Sequence, residues 1–297
     1  MSNHSFETIQ QCITEINSLD LSKISIEDVD QRIRKLMNGY KVLAFQLNPG
    51  IVLYRGILYT SKPECYSDII YPPEHLARLN RANLKGEQML YASSSKKAVF
   101  YELNVQVGDT LVLSTWLTNA YLVFQHVGFT KSSLERLGCS AIGGRSIEAE
   151  KEEDKLVSNF LSENFCKKIL ATDDSHYLIT NAIARIHMQQ NDFAGIFYPT
   201  IKLNGDDDNF AIKKSVVDAK LLTLDRTEFI EITQIKGDKY QYRIIDVANE
   251  LIDSKIKWLS PKKSWMLSDD SKDIFYSDDF GEVIAYDENG EPVDPIC

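Results

Sequence analysis

Cysteine is scarce and unpaired in this sequence. The five present, Cys12, Cys65, Cys139, Cys166 and Cys297, are odd in number and include no C-x-x-C pair. Such usage excludes a disulfide framework or a zinc ribbon and reads as reduced intracellular thiols. Long apolar runs are missing as well, so no segment approaches the length of a membrane-spanning helix. Basic residues are outnumbered, with 33 Lys and Arg against 43 Asp and Glu and a net charge of −10. That balance argues against a broad nucleic-acid footprint, which needs clustered cations against phosphate. The histidines (His4, His75, His126, His176 and His187) show no H-E-x-x-H or similar ligand spacing, so no metal is expected. Neither a Walker A loop, a G-x-G-x-x-G fingerprint nor a G-x-S-x-G elbow occurs. The opening MSNHSFETIQQ lacks the basic and apolar regions of a leader, and a cytoplasmic location is the expectation.

What is there suits a folded chain with a sizeable core: 297 residues, 43% hydrophobic and 10% aromatic. Residues 5–47 read as helical, with Val29, Ile33, Leu36, Met37, Tyr40 and Leu43 at three- and four-residue steps after a Ser25-x-x-Asp28 capping signal. From about residue 50 the texture changes to short β-rich runs at 51–56, 88–92, 110–116, 194–200 and 220–224. Helical stretches interrupt them at about 94–103, 146–166 and 173–190. The irregular spacing excludes a doubly wound parallel fold and favours a mixed α+β one. A hairpin is expected where TEFIEITQI and KYQYRIID flank Lys236-Gly237-Asp238. The polar, acidic end carries the apolar anchors Trp258, Trp265 and Met266. The expected organisation is therefore a helical extension (1–48), a central domain (49–225) and a C-terminal extension with a hairpin and acidic tail (226–297).

One stretch, RANLKGEQMLYASSSKKAVFYEL (81–103), raises a question of chemistry. Helical spacing puts Glu102 beside Ala98, Val99 and Leu103. A carboxylate pointing inward there would need a partner, with Arg55, Arg78 and Arg81 as candidates. The plainer reading is a solvated helix-end glutamate. Arg55 ends an apolar strand, where an arginine either flanks a turn at the surface or meets a phosphate through two parallel hydrogen bonds. Tyr91 closes another strand and either stacks on a flat ring or belongs to the core. Asp206, Asp207 and Asp208 lack EF-hand spacing and read as a solvated loop. The glycine-containing GCSAIGGRS (138–146) matches no phosphate loop, and EAEKEEDK (148–155) reads as a solvated helix face.

Taken in order, these segments resemble the RES domain family. The matching pieces are LYRG (53–56), RAN (81–83) with Gly86, MLYAS (89–93), AVFYEL (98–103), GIFYPT (195–200), NFAI (209–212) and the closing KLLTL. They span about 60% of the chain, and Arg81, Tyr91 and Glu102 stand at intervals of ten and eleven residues. The resemblance implies a mixed-sheet core similar to ADP-ribosyltransferases, with NAD⁺ as substrate and no metal. Known members cleave the nicotinamide–ribose bond by phosphorolysis, hydrolysis or transfer to a protein acceptor, and many are toxins checked by a small antitoxin. Carried over by motif, Arg55 and Arg81 would hold the anionic part of NAD⁺, Tyr91 would line the ligand, and Glu102 would be the catalytic carboxylate. Asn209 and Thr200 would complete the ligand contacts, Thr200 standing where the family has serine. Threonine keeps the hydroxyl but adds a methyl and stiffens χ1. An NAD⁺-consuming enzyme is the leading expectation; a protein ADP-ribosyltransferase and a catalytically silent nucleotide-binding module are the alternatives. The two terminal segments would gate the site, bind a partner or make an oligomer contact.

Overall fold

A computed structural model of the chain describes residues 4–127, 141–142, 145–146, 151–167, 175–189, 192–200, 207–259, 265–268, 285–286 and 292–293. Most of GCSAIGGRS, Asp206, and most of the acidic C-terminal end lie outside these residues.

Chain order begins with helices α1 (Phe6–Asn17) and α2 (Ile26–Leu36), followed by strands β1 (Leu43–Leu47), β2 (Val52–Leu58) and β3 (Met89–Ser93). Helix α3 (Lys96–Leu103), β4 (Thr110–Thr118), β5 (Leu122–His126) and the two-residue strands β6 (Ala141–Ile142) and β7 (Arg145–Ser146) come next. Helices α4 (Glu152–Cys166) and α5 (Tyr177–Met188) precede β8 (Gly195–Pro199), β9 (Asp208–Lys213) and the short α6 (Lys214–Asp218). The long β10 (Leu222–Lys236) and β11 (Lys239–Ala248) are followed by β12 (Leu251–Ile252), β13 (Lys255–Ile256), β14 (Trp265–Ser268), β15 (Ala285–Tyr286) and β16 (Pro292–Val293). Helices and strands are mixed, and strand pairing is mostly antiparallel, β5 and β8 being a parallel pair. No helix among the described residues is long and apolar enough to cross a membrane.

The chain divides by its contacts into two interleaved units. Unit 1 comprises Met1–Pro49, Pro72–Tyr91 and Ala120–Leu221; unit 2 comprises Gly50–Tyr71, Ala92–Asn119 and Leu222–Cys297. This differs from three consecutive segments. The N-terminal helices, expected as an extension, are built into unit 1, where Ile9, Ile16, Val29, Ile33 and Leu36 share a core with Phe160, Leu161, Ile183, Ile196 and Ala211. Likewise β10 and β11, expected in a C-terminal extension, share a core with β4 and α3 in unit 2.

In unit 1 the capping signal works as read: the Ser25 hydroxyl accepts the Asp28 N–H at 3.1 Å and starts α2. The helical reading to residue 47 needs correction. Gly39 adopts φ +79°, ending the helix, and β1 then pairs antiparallel with β5. Strand order in this unit is β1-β5-β8-β9. Gly195 in β8 has no room for a side chain, because a Cβ would overlap the Ala211 carbonyl of β9. Helix α5 buries one titratable group in this core. His187 is 1% exposed, and its Nδ1 donates to the Ile183 carbonyl at 2.9 Å, which leaves Nε2 as a bare acceptor. Burial lowers its pKa to about 4, with the Ile183 carbonyl opposing.

In unit 2 the order is β2-β4-β10-β11-β14, with Ser93 of β3 pairing Tyr54 of β2. The expected closing strand and the first hairpin strand are one element, β10, with a bulge between Leu224 and Arg226. The hairpin turn is Gly237-Asp238, and Gly237 takes φ +62° as a glycine at the first loop position does. Helix α3 starts at Ser95, whose hydroxyl accepts the Ala98 N–H at 3.0 Å, and lies on β2 at Gly56. A Cβ at Gly56 would overlap Val99 Cγ1 and sit 2.8 Å from Leu103 Cδ1, so only glycine lets the helix approach this closely.

Two outcomes are expected. Gly56→Ala should destabilise the chain by about 1–3 kcal/mol in urea unfolding through overpacking. Val99→Ala in the same chain should restore most of that loss, and an unchanged midpoint for the single variant would remove the contact from its role. For His187, the unfolded chain takes up a proton near pH 6.5 and the folded chain only near pH 4, so stability falls as pH drops through that window. The loss should reach about 2–3 kcal/mol at the acid end. It should shrink in His187→Gln relative to the wild type, and identical pH profiles would exclude His187 as the source.

Candidate functional site

Four of the six expected site residues belong to unit 1: Arg81, Tyr91, Thr200 and Asn209. The loop carrying Arg81 has to satisfy its own backbone, and asparagines do so. Asn80 Oδ1 accepts the Arg81 N–H at 2.8 Å, and the Asn80 N–H reaches the Asn83 carbonyl at 3.0 Å. The Asn83 side chain, 3% exposed, donates to the Arg78 and Leu84 carbonyls at 2.9 Å each. Its Oδ1 accepts the Tyr91 hydroxyl at 2.7 Å, and that hydroxyl in turn accepts the Ala82 N–H at 3.0 Å. Gly86, at φ +88°, closes the loop onto the Ala77 carbonyl. From α5, Asn181 donates to the Asn80 and Tyr177 carbonyls.

This mesh defines Tyr91. Its ring packs on the core of unit 1, and its hydroxyl ties the 80–83 loop to β3. Burial pushes the phenol well above its usual range, with Tyr198 adding to the shift and the Ala82 N–H opposing it. The tyrosine is therefore a tether of the loop whatever it does to a ligand.

Arg81 is left partly unmet. Its Nη2 donates to the Lys167 carbonyl at 2.8 Å, while Nη1 is enclosed and has no hydrogen-bond partner among the described residues. The buried Asn181 Oδ1 is in the same condition. An enclosed guanidinium N–H without an acceptor costs free energy, more than a neutral donor would, and an anionic oxygen relieves that cost.

Thr200 and Asn209 are buried at 1% and 4% exposure. The Thr200 N–H and its hydroxyl both donate to the Asp207 carbonyl at 2.8 Å, so the residue ties the end of β8 to the start of β9, a role a serine would fill equally. Asn209 stands opposite Tyr198 in the β8–β9 ladder, and Tyr198 is close enough to Tyr91 to raise its pKa.

Arg55 and Glu102 belong to unit 2, and the structure does not bring them to one face. Tyr54 and Gly56 of β2 face α3, so Arg55 between them faces the other way. Its Nε and Nη2 donate to the Ile69 and Ile70 carbonyls at 3.2 Å each, beside the cluster of Ile69, Val112 and Phe229. Glu102 is carried by α3 on the opposite face and is exposed, although Ala98, one turn earlier, is fully buried. The inward carboxylate suggested by periodicity is thus not what the helix presents. In the last turn of α3 it is Tyr101 and Leu103 that pack on the core, while Glu102 between them faces out.

Reasoning from the sequence missed Asn80, Asn83 and Asn181. Asn181 did leave a signal: it is a lone amide inside the apolar helix YLITNAIARIHM, where a polar group needs a partner. No group of histidine, cysteine or carboxylate side chains suited to a metal ion occurs among the described residues. Compared with protein-family models, curated proteins and solved structures, the chain matches none.

Tyr91→Phe should lower stability by about 1–3 kcal/mol, because it strips Asn83 Oδ1 and the Ala82 N–H of a shared partner. Amide exchange at residues 80–84 should accelerate in the same variant. Unaltered exchange there would show that the hydroxyl does not hold the loop.

Proposed function

We propose that the chain is an NAD⁺-consuming enzyme with a RES-like, ADP-ribosyltransferase-like core, cleaving the nicotinamide–ribose bond by phosphorolysis or hydrolysis. The observation that supports this reading is the half-buried Arg81 near Tyr91, whose Nη1 is enclosed and lacks an acceptor among the described residues. Such a group suits the pyrophosphate of a dinucleotide. The ordered motif set from LYRG to NFAI supplies the rest of the argument.

In this reaction water or phosphate attacks ribose C1′ as the bond to the nicotinamide nitrogen breaks. The bonding pair passes to the pyridinium ring, and neutral nicotinamide leaves without needing an acid. Positive charge spreads over the ribose during the step, and a carboxylate stabilises it; Glu102 is the residue assigned that role. Arg81 is assigned to the anionic part of the substrate, with Tyr91, Thr200 and Asn209 as supporting contacts; Arg55 shares that assignment on its sequence motif alone. The enzyme would act in the cytoplasm, and a small inhibitory protein would keep its toxicity in check.

A second reading has its own support. Glu102 is exposed, and Arg55 spends two donors on backbone carbonyls on the other face of its sheet. Those features favour a module that binds a nucleotide through Arg81 without chemistry.

Incubating the purified chain with NAD⁺, with and without phosphate and with a cell extract as acceptor, separates the readings. The enzyme releases nicotinamide, and mass spectrometry then reads phosphorylated ADP-ribose, free ADP-ribose or modified protein. Arg81→Ala should weaken NAD⁺ binding at least tenfold, and Glu102→Gln should abolish release while leaving thermal stabilisation by NAD⁺ intact. Stabilisation without release in any mixture would support the silent module, and neither effect would exclude both.

A further inference from the structure

The turn between α2 and β1 in unit 1 carries a chemistry that stands apart from the NAD⁺ reading. Helix α2 ends at Leu36, and the chain turns through Met37-Asn38-Gly39-Tyr40 before β1 begins at Leu43. The Tyr40 N–H donates to the Met37 carbonyl at 2.9 Å, which closes the turn. Gly39, third of the four, takes φ +79° while Asn38 keeps a negative φ, the combination a type II turn requires. Both ends of the turn are held in the unit 1 core, Met37 at 7% and Tyr40 at 9% exposure. Asn38 between them is exposed.

This arrangement sets Asn38 against its own neighbour. The Gly39 N–H makes no hydrogen bond among the described residues, so no bond has to be given up before that nitrogen reacts. Glycine has no Cβ, and its nitrogen is approached without hindrance. The Asn38 side-chain carbonyl lies one residue before it, the separation that closes a five-membered ring. Asn204 and Asn289 also precede glycine, but both lie outside the described residues.

We propose that Asn38 is a modification site, converting to isoaspartate and aspartate through a cyclic imide with water as co-reactant. The Gly39 nitrogen gives its proton to solvent base, attacks Asn38 Cγ and forms a new C–N bond. The bond from Cγ to the side-chain nitrogen breaks, and that nitrogen keeps the electron pair, takes up a proton and leaves as ammonia. Water then opens the imide. Attack at the main-chain carbonyl leaves Gly39 linked through Cγ, which is isoaspartate; attack at Cγ gives aspartate. The sum is one water consumed and one ammonia released, with nothing oxidised or reduced. Isoaspartate lengthens the main chain by one methylene inside a turn whose two ends are buried, so the hydrogen bond from Tyr40 to Met37 is lost. Either product also places a negative charge just past the C-terminal end of α2, where the helix dipole disfavours it.

The test ages the full chain carrying Asn204→Gln and Asn289→Gln in mildly alkaline buffer at body temperature, so that residue 38 alone reports. Tryptic cleavage places Asn38 on the peptide LMNGYK. That peptide should gain the mass difference between an amide and a carboxyl, and isoaspartyl methyltransferase should label most of the product. Amide exchange at residues 40–47 should quicken and Tm should fall by a few degrees as the product accumulates. Asn38→Gln, which closes a larger ring far more slowly, should stay unmodified and keep its Tm on ageing. An intact LMNGYK peptide in the folded chain, whether or not unfolding in urea brings conversion, would overturn the site. Converted chains with unaltered exchange and Tm would overturn the loss of the turn.

Discussion

The close approach of α3 to Gly56 is the constraint from which unit 2 follows. A side chain at that position would overlap Val99, so β2 must present Gly56 to the helix. Strand alternation then leaves no freedom for its neighbours. Tyr54 shares the helix side and joins Phe100, Tyr240 and Tyr242 in its cluster. Arg55 is sent to the other side, where it anchors the Ile69 and Ile70 carbonyls and begins a cross-strand row that ends at Thr227 and Ala248. Lys96, in the first turn of α3, meets the buried Glu228 at 3.5 Å, and Arg226 meets the same carboxylate at 2.7 Å. A buried carboxylate with two cations fixes the helix start in place as much as it stabilises it.

Unit 1 solves a different problem. Its 77–87 loop carries backbone donors and acceptors into a buried setting, and three asparagines and one tyrosine hydroxyl answer them. Each neutral hydrogen bond adds only about 1 kcal/mol net, but leaving its partner unmet costs more, so the mesh holds as a whole. Against that background the enclosed Arg81 Nη1 stands out. An ordered water, an ion or a ligand oxygen would complete such a group.

Local chemistry was largely legible. The runs at 51–56, 88–92, 110–116 and 194–200 became β2, β3, β4 and β8, and the cap at Ser25 formed as its residue type requires. The hairpin at Gly237-Asp238 was readable because glycine at a two-residue turn is a strong signal. Strands β1 and β5 were not read. LAFQL follows a helical pattern without a break in hydrophobicity, and LVFQH is too short to declare itself; each is a strand because the other pairs with it. Pairing between residues about eighty apart has no local signature.

By itself, then, the sequence determined where helices start, where strands run, which glycines are obligatory and which residues are able to carry charge. Tertiary structure alone decided what covers them. It left Glu102 exposed one turn past a buried alanine, sent Arg55 to the face away from α3, and enclosed Nη1 of a half-buried Arg81. Periodicity relates a residue to its neighbours on the same element, whereas burial depends on the element packed above it, which sequence spacing does not specify.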